Sequence, residues 1–519
     1  MSSLAYGRGA TSASAPLQAL VDACARRGSE VLLGLAIIAL ATVQLASLPN
    51  SFDVDSWLAL VTGRDLWQHG LPHHETLTLL THGSAWIDQQ WLAQLVMYGL
   101  YKSGGLALVG VVNVALLVSA IGGAAIAARR LGAHPVTVMV TLALCLFMIE
   151  PSREVRTQEL ALPLFVGLAY LLATDSRAPS RRVYLCLPLL VLWANIHGTV
   201  TLGVGLAVLH AVTVLWERRR TLASSWRAWI RPVLLGVGAP LTLLVSPYGL
   251  GMAAYYRTMF VGSTVRGHVT EWQPITSSPA TAVVFFVLAG VAIWSFGRQP
   301  SRTTLWERLA LLVLAAGSIA VVRNVLFFGL FTLMLLPVSI GSLRDPLAPR
   351  RAEPRVSAPR RGVINLVLSL GAIGALLAAG IATALAPDSR FEPAYASRGA
   401  LLSSVARATH ADPSLSVLAE DRFADWLLWE QPNLTGRVEN DSRFELLSSP
   451  QLDSLNKVFG VDGPRWKAGA RGLRLVVLDR RVVADAVTAF RSEPGSRTLF
   501  DNGQQVVILR SVRGAGSAR

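Results

Sequence analysis

The sequence predicts an all-α polytopic membrane protein of about eleven transmembrane helices, followed by a small α/β domain outside the membrane. Three observations predict it. Of 519 residues, 52% are hydrophobic and only 15% charged, whereas soluble domains average about 25% charged. The apolar residues come in blocks close to the roughly 20 residues that a helix needs to cross a bilayer. The arginines sit between those blocks in alternate loops, as the bias for cytoplasmic positive charge requires.

Taken in order, residues 1–29 are an Ala/Ser-rich tail with scattered charge. The run from Val31 to Leu48 is too long for a signal-peptide core and lacks a cleavage site, so it reads as a retained first span. Further spans are expected near 105–128, 135–150, 158–174, 183–197, 199–216, 231–247, 280–297, 305–322, 324–343 and 363–386. Trp86–Tyr101 is an apolar run carrying Gln89, Gln90 and Gln94, and reads as an interfacial helix leading into the second span. The membrane domain thus covers 30–386, with a first outer loop over 49–104.

With this count, Arg26–Arg27, Arg129–Arg130, Arg181–Arg182, Arg218–Arg220, Arg298, Arg302 and the Arg/Pro loop 344–362 share one side, which is therefore cytoplasmic. The formal charge of +15 is accounted for by topology, so no nucleic-acid partner is expected. Residues 387–519 lie on the opposite side. There Leu415–Glu420, Leu473–Asp479 and Gln504–Ser511 have the composition of strands, and Arg480–Arg491 has helical spacing. Cys24, Cys145 and Cys186 are spaced neither for a disulfide framework nor for a thiolate metal site.

The outer face collects the residues that chemistry would use. Ser51–Trp91 carries Asp53 and Asp55, which in an extended or turning segment can present both carboxylates to one ligand or act as a base. A hydrated loop is the bland alternative. Arg153 and Arg156 follow in the second outer loop; their guanidinium forks suit phosphate, or an ion pair with Glu154 or Glu159. Arg323, with Asn324, lies between two apolar runs with almost no loop and needs a partner at the interface. Asn195 and His197 sit where one span turns into the next, as ligands or as helix caps. His73, His74 and Glu75 are metal ligands by type, but Gly70 and Pro72 break helical spacing, so no dedicated zinc centre is expected. Tyr248, Glu271 and Trp272 fall in the long loop 246–279; the rings either stack on sugar or anchor at the headgroups. No Walker, dinucleotide-binding or G-x-S-x-G pattern occurs, which leaves ATPase, dehydrogenase and hydrolase readings unsupported.

The blocks DVDSW, TGRDLWQHG-LPHHE, GSAWIDQQW, SREVRTQEL, LWANIHGTVTLG, SPYG and TEWQP, in this order, resemble the GT-C superfamily of integral-membrane glycosyltransferases. The similarity runs over most of 50–275, and the group is related to protein mannosyltransferases and lipid A arabinose or sugar transferases. WLLW (426–429) and VENDSRFE (438–445) are similar to the outer domain of many members. Two departures stand out: Ser56–Trp57 replaces the usual aromatic pair after D-x-D, and Thr157 stands where proline is expected after Arg156.

The resemblance implies an essential acid at Asp53 or Asp55. It also implies a polyprenyl-phosphate sugar donor whose phosphate is held by Arg153, Arg156, His197 and Arg323, with His73, His74, Glu75, Asn195, Tyr248, Glu271 and Trp272 around the substrates. A cell-envelope glycan, lipid or protein would be the acceptor, and the bacterial inner membrane the location, with the N-terminus cytoplasmic. No cofactor is demanded; a divalent cation bridging Asp55 and the phosphate is the one candidate. A flippase for a lipid-linked glycan and a non-catalytic envelope scaffold are the competing expectations. Charges at the midplane of broken helices would favour the flippase, whereas those of this sequence gather near one face.

Overall fold

A computed structural model describes residues 14–149, 154–219, 226–261, 269–341, 358–395, 397–463 and 466–511. Helices α1 (Ser14–Arg26), α2 (Gly28–Ser47), α3 (Val54–His69), α4 (Trp91–Arg130), α5 (Pro135–Ile149), α6 (Ala161–Arg177), α7 (Cys186–Ala194) and α8 (Val200–Glu217) come first. They are followed by α9 (Ile230–Gly236), α10 (Gly238–Thr242), α11 (Gly251–Val261), α12 (Pro279–Arg298), α13 (Leu305–Ala320), α14 (Val325–Ile340) and α15 (Ala358–Ala384). Seven described helical segments are long and apolar enough to cross a membrane, and Pro135–Met148 is a shorter apolar one. The chain is a multi-pass membrane protein.

Several of the eleven expected runs are locally broken. The run at 231–247 divides into α9 and α10, with Gly236 and Gly238 at the break and Pro240 unable to donate a backbone hydrogen bond. The run at 183–197 becomes a 3-10 turn, Arg181–Leu185, and the nine-residue α7. Much of the loop 344–362 lies outside the described residues. Helix α14 is apolar all round and buried over nearly its whole length, the expected state of such a helix. It forms the centre of the bundle, where Phe327 packs edge-on to Phe165 at 5.0 Å and stacks with Trp193 at 6.3 Å.

The first outer segment departs from the expected loop. Val54–His69 is helical, with Trp57 and Leu60 fully buried, and the segment ends at Gly70 with φ +83°. It packs closely on α4: a Cβ at Gly63 would come within 2.3 Å of the Gln94 carbonyl oxygen. The run 91–103 does lead directly into the second span, and the two are joined at a kink, with Gly105 at φ +65°. Asp388 Oδ1 accepts the Leu106 N–H at 3.1 Å, so a carboxylate caps the helix that starts after the kink.

Beyond α15 follow α16 (Arg398–Ala411), β1 (Val417–Ala419), α17 (Asp421–Glu430), α18 (Ser449–Gly460), α19 (Trp466–Gly469), β2 (Leu475–Asp479), α20 (Ala484–Arg491), β3 (Arg497–Asp501) and β4 (Gln505–Leu509). The sheet order is β1-β2-β4-β3, with β1 parallel to β2 and the other pairs antiparallel. Val417 pairs with Leu475, and Val477 with Val507. The three expected strands and α20 are present; β3 was not anticipated.

This small domain is fastened to the first outer segment. Leu79 N–H donates to Val438 O at 2.7 Å, Leu80 N–H to Glu439 O at 2.9 Å, and Gly436 N–H to Leu77 O at 2.8 Å. Arg64 on α3 donates to the Leu428 and Trp429 carbonyls at the C-terminal end of α17, at 2.6 and 2.9 Å, a favourable place for a cation.

Candidate active site

Helix α3 begins with Asp53 in an extended conformation as its N-cap. Ser56 Oγ accepts the Asp53 N–H at 3.2 Å and donates to Val155 O at 2.6 Å, while Val155 N–H donates to Ser51 O at 2.8 Å. These bonds fasten the second outer loop to the start of α3 and bring Arg156 Nε to 3.3 Å from Asp55 Oδ2. The two acids do not converge on one ligand, as an extended D-x-D would allow. Helical residues two apart point about 200° apart around the axis, and Asp53 Oδ1 instead faces Arg422 Nε of α17 at 3.5 Å.

Arg156 is the hub. Besides Asp55 it is paired with Glu154 and Glu271. Burial alone would lower its pKa, but Asp55, Glu271 and Glu154 more than offset that and raise it. Burial likewise opposes ionisation of Glu271, yet Arg323 and Arg156 hold its pKa below the usual value. Burial raises that of Glu154 despite Arg156.

Arg323 comes from the junction of α13 and α14. Its Nε donates to Gln158 Oε1 at 2.7 Å, its Nη2 lies 3.2 Å from His197 Nε2, and Glu271 Oε2 is 3.8 Å from its Nε. Burial first, then Arg323 and Arg156, push the His197 pKa well down. The imidazole is therefore neutral. A guanidinium can only donate, so Nε2 is the acceptor on that side; Nδ1 lies 2.9 Å from Thr199 Oγ1 and 3.2 Å from the Thr199 backbone nitrogen. Here His197 aims Arg323 and contributes no cation of its own.

Asp55, Arg156, Glu271, Trp272 and Arg323 line a cavity with about 1200 Å³ of empty space. Gln90, Gln94 and Tyr255 form part of its wall, and Asp421 and Ser442–Glu445 of the small domain form another part. Sequence reasoning did not single out Asp421, Arg422 or Arg443 as site residues. For Arg443 the mixed-charge string at 438–445 was the available signal.

The other expected residues are placed elsewhere. Arg153 lies outside the described residues. Glu75 is fully buried: its Oε1 accepts the Leu77 and Thr78 N–H groups at 2.6 and 2.8 Å, and its Oε2 is 2.5 Å from Arg443 Nη1. Asn195 uses its amide on Trp91 Nε1 at 3.0 Å and on the Val191 and Val245 carbonyls, both at 2.8 Å. Tyr248 donates to Pro72 O at 3.0 Å and meets the His73 ring edge-on. His74 is bridged to Ala85. Glu75, Asn195, Tyr248, His73 and His74 are not among the cavity-lining residues. Among the described residues no three His, Cys, Asp or Glu side chains are grouped to hold a metal ion.

No family model matches the sequence, and no curated protein does. Solved structures do match. Archaeal oligosaccharyltransferase AglB from Archaeoglobus fulgidus, in complex with an inhibitory peptide and a dolichol-phosphate, aligns with TM-score 0.50 at 13% identity, over 86% of this chain and 69% of that one. The Archaeoglobus fulgidus oligosaccharyltransferase tethered with an acceptor peptide aligns with TM-score 0.52 at 13% identity, over 92% and 74%. ArnT from Cupriavidus metallidurans bound to undecaprenyl phosphate gives 0.49 at 15% identity, over 93% and 98%. The chain has the fold of the GT-C integral-membrane glycosyltransferases.

Proposed function

We propose that the protein transfers a sugar, with inversion, from a polyprenyl-phosphate donor to a hydroxyl of a cell-envelope acceptor on the outer face of the bacterial inner membrane. One observation carries the reading: a carboxylate, Asp55, and two arginines, Arg156 and Arg323, meet in one cavity. The fold supports it, and AglB, which shares that fold, is a complex with a dolichol-phosphate.

In this reading the donor phosphate takes the guanidinium forks of Arg156 and Arg323 and frees Asp55 from its ion pair. Asp55 accepts the proton of the acceptor hydroxyl as its oxygen bonds to the anomeric carbon. The bond from that carbon to the phosphate oxygen breaks, and the electron pair stays on the phosphate, where the arginines stabilise it. His197 and Gln158 hold Arg323 in place, and Trp272 offers a ring for the sugar to stack on.

The test is a transfer assay in membranes supplied with labelled undecaprenyl-phosphate sugars, comparing wild type with the Asp53→Asn/Asp55→Asn double variant at matched expression. Consumption of donor by wild type alone, with label on a new product, is expected. Equal consumption by both proteins, or none by either, contradicts the proposal.

A further inference from the structure

The reaction cavity has a neighbour. A second cavity, with about 970 Å³ of empty space, is lined by Met148, Val325 and Leu326 on its apolar side and by Gln158, Glu159 and Ser278 on its polar side. Arg156, Glu271 and Arg323 line both cavities. They form the partition between a polar chamber under the small domain and a more apolar one among α5, α12 and α14.

Glu271 holds that partition together. One carboxylate oxygen is paired with Arg156, and the other lies 3.8 Å from Arg323 Nε. The backbone fixes its position: Val322 N–H donates to Gln273 O at 3.0 Å, which ties the short turn Thr270–Trp272 to the turn that carries Arg323. A carboxylate spanning two guanidinium groups occupies the place, and presents the single negative charge, that the phosphodiester of a polyprenyl-phosphate sugar would take between them.

We infer that Glu271 is an internal stand-in for the donor phosphate, a latch that keeps Arg156 and Arg323 paired and the two cavities apart until a lipid phosphate displaces it. The latch rests on the phosphate-binding role proposed above for the two arginines. Displacement joins the cavities, so that a phosphate held at the partition has its prenyl chain on the apolar side and its sugar beside Asp55. The carboxylate competes with every anion too weak to replace it.

The test is a binding measurement, independent of turnover. Purified wild type, Glu271→Gln and Glu271→Asp are titrated with undecaprenyl phosphate and, separately, with inorganic phosphate, reading the fluorescence of the neighbouring Trp272. Glu271→Gln keeps the side-chain shape and removes the competing charge. It is expected to lower the Kd for undecaprenyl phosphate by about tenfold, the factor that 1.4 kcal/mol makes. Glu271→Asp keeps the charge and is expected to bind within about threefold of wild type, which also controls for folding. Inorganic phosphate is expected to bind Glu271→Gln more tightly than wild type but more weakly than the lipid does. Unchanged or weaker lipid binding by Glu271→Gln overturns the latch. If that failure comes with intact wild-type binding and transfer, the proposed reaction stands; if no protein binds the lipid, the reaction proposal falls as well.

Discussion

Replacing Arg443 by alanine tests how the small domain is held over the cavity. Arg443 lies only 4% exposed and is the shared cation of two buried acids. Its Nη1 is 2.5 Å from Glu75 Oε2 and its Nε is 2.9 Å from Asp441 Oδ2. Its guanidinium also stacks over the Trp86 ring at 4.3 Å. Burial would lower its pKa, but Asp441 and Glu75 raise it instead. Glu75 is 0% and Asp441 3% exposed, so Arg443→Ala leaves two buried carboxylates without their counter-charge. Breaking a buried pair by removing one partner costs about 3–5 kcal/mol. The cation–π contact adds about 1 kcal/mol. The assay is heat-induced loss of the monodisperse peak on size-exclusion chromatography in detergent, together with protease release of residues 387–519. A marked fall in apparent Tm and faster release are expected. In the double variant Glu75→Gln/Arg443→Met the orphaned charge at position 75 is gone while that of Asp441 remains, and part of the loss should return. An alanine variant that melts and is cleaved like wild type would refute the docking argument.

Four further outcomes follow from the same geometry. Asp175→Ala removes the acceptor shared by His210 Nε2 at 2.9 Å and Arg231 Nη1 at 2.6 Å; a loss of about 3–5 kcal/mol is expected, and an unchanged apparent Tm would contradict it. Gly63→Ala forces α3 off the Gln94 carbonyl oxygen and should cost about 1–3 kcal/mol while slowing transfer, because α3 carries Asp55; normal stability and rate would count against the close approach. Arg156→Ala should lower the transfer rate by about 10²–10³-fold, the loss typical of a donor to developing charge, and an unaffected rate would remove Arg156 from the mechanism. Burial raises the pKa of Asp88, Glu420 and Glu445 to about 7 and of Glu439 to about 8. The folded protein therefore holds protons that the unfolded chain releases near about pH 4, so stability falls as pH rises from about 4.5 through 7 and levels off above about pH 8. His197, whose pKa is lowered, acts in the opposite sense below about pH 6.5. A melting profile that does not fall between about pH 5 and 8 would contradict the burial of these acids.

What could be read from the sequence followed from local pattern. Hydropathy blocks revealed the membrane bundle, and runs rich in Val, Ile and Leu revealed β1, β2 and β4, whose side chains are mostly buried. Strand β3 is an edge strand with exposed Arg497 and Asp501, so it lacks the apolar alternation that marks a strand. The gathering of Arg156, His197, Glu271 and Arg323 was legible because all four flank apolar runs at the ends away from the arginine-rich loops of the sequence. The separation of Asp53 from Asp55 was not, because it depends on 54–69 being a helix. Its polar, weakly patterned sequence becomes helical where Trp57 and Leu60 are buried against α4 and α17. The roles of Glu75 and Arg64 were equally hidden, since their partners Arg443 and Leu428 lie more than 360 positions further along the chain.

The central claim is that Asp55, facing Arg156 across the cavity, is the base, and that Asp53 serves the fold. The direct measurement is the single-turnover transfer rate of purified Asp53→Asn and Asp55→Asn with a saturating undecaprenyl-phosphate sugar. The account predicts a loss of about 10²–10⁴-fold for Asp55→Asn and less than about tenfold for Asp53→Asn, whose amide oxygen can still cap α3. An Asp55→Asn enzyme that turns over at the wild-type rate, or an Asp53→Asn enzyme that alone is inactive while folded, would contradict it.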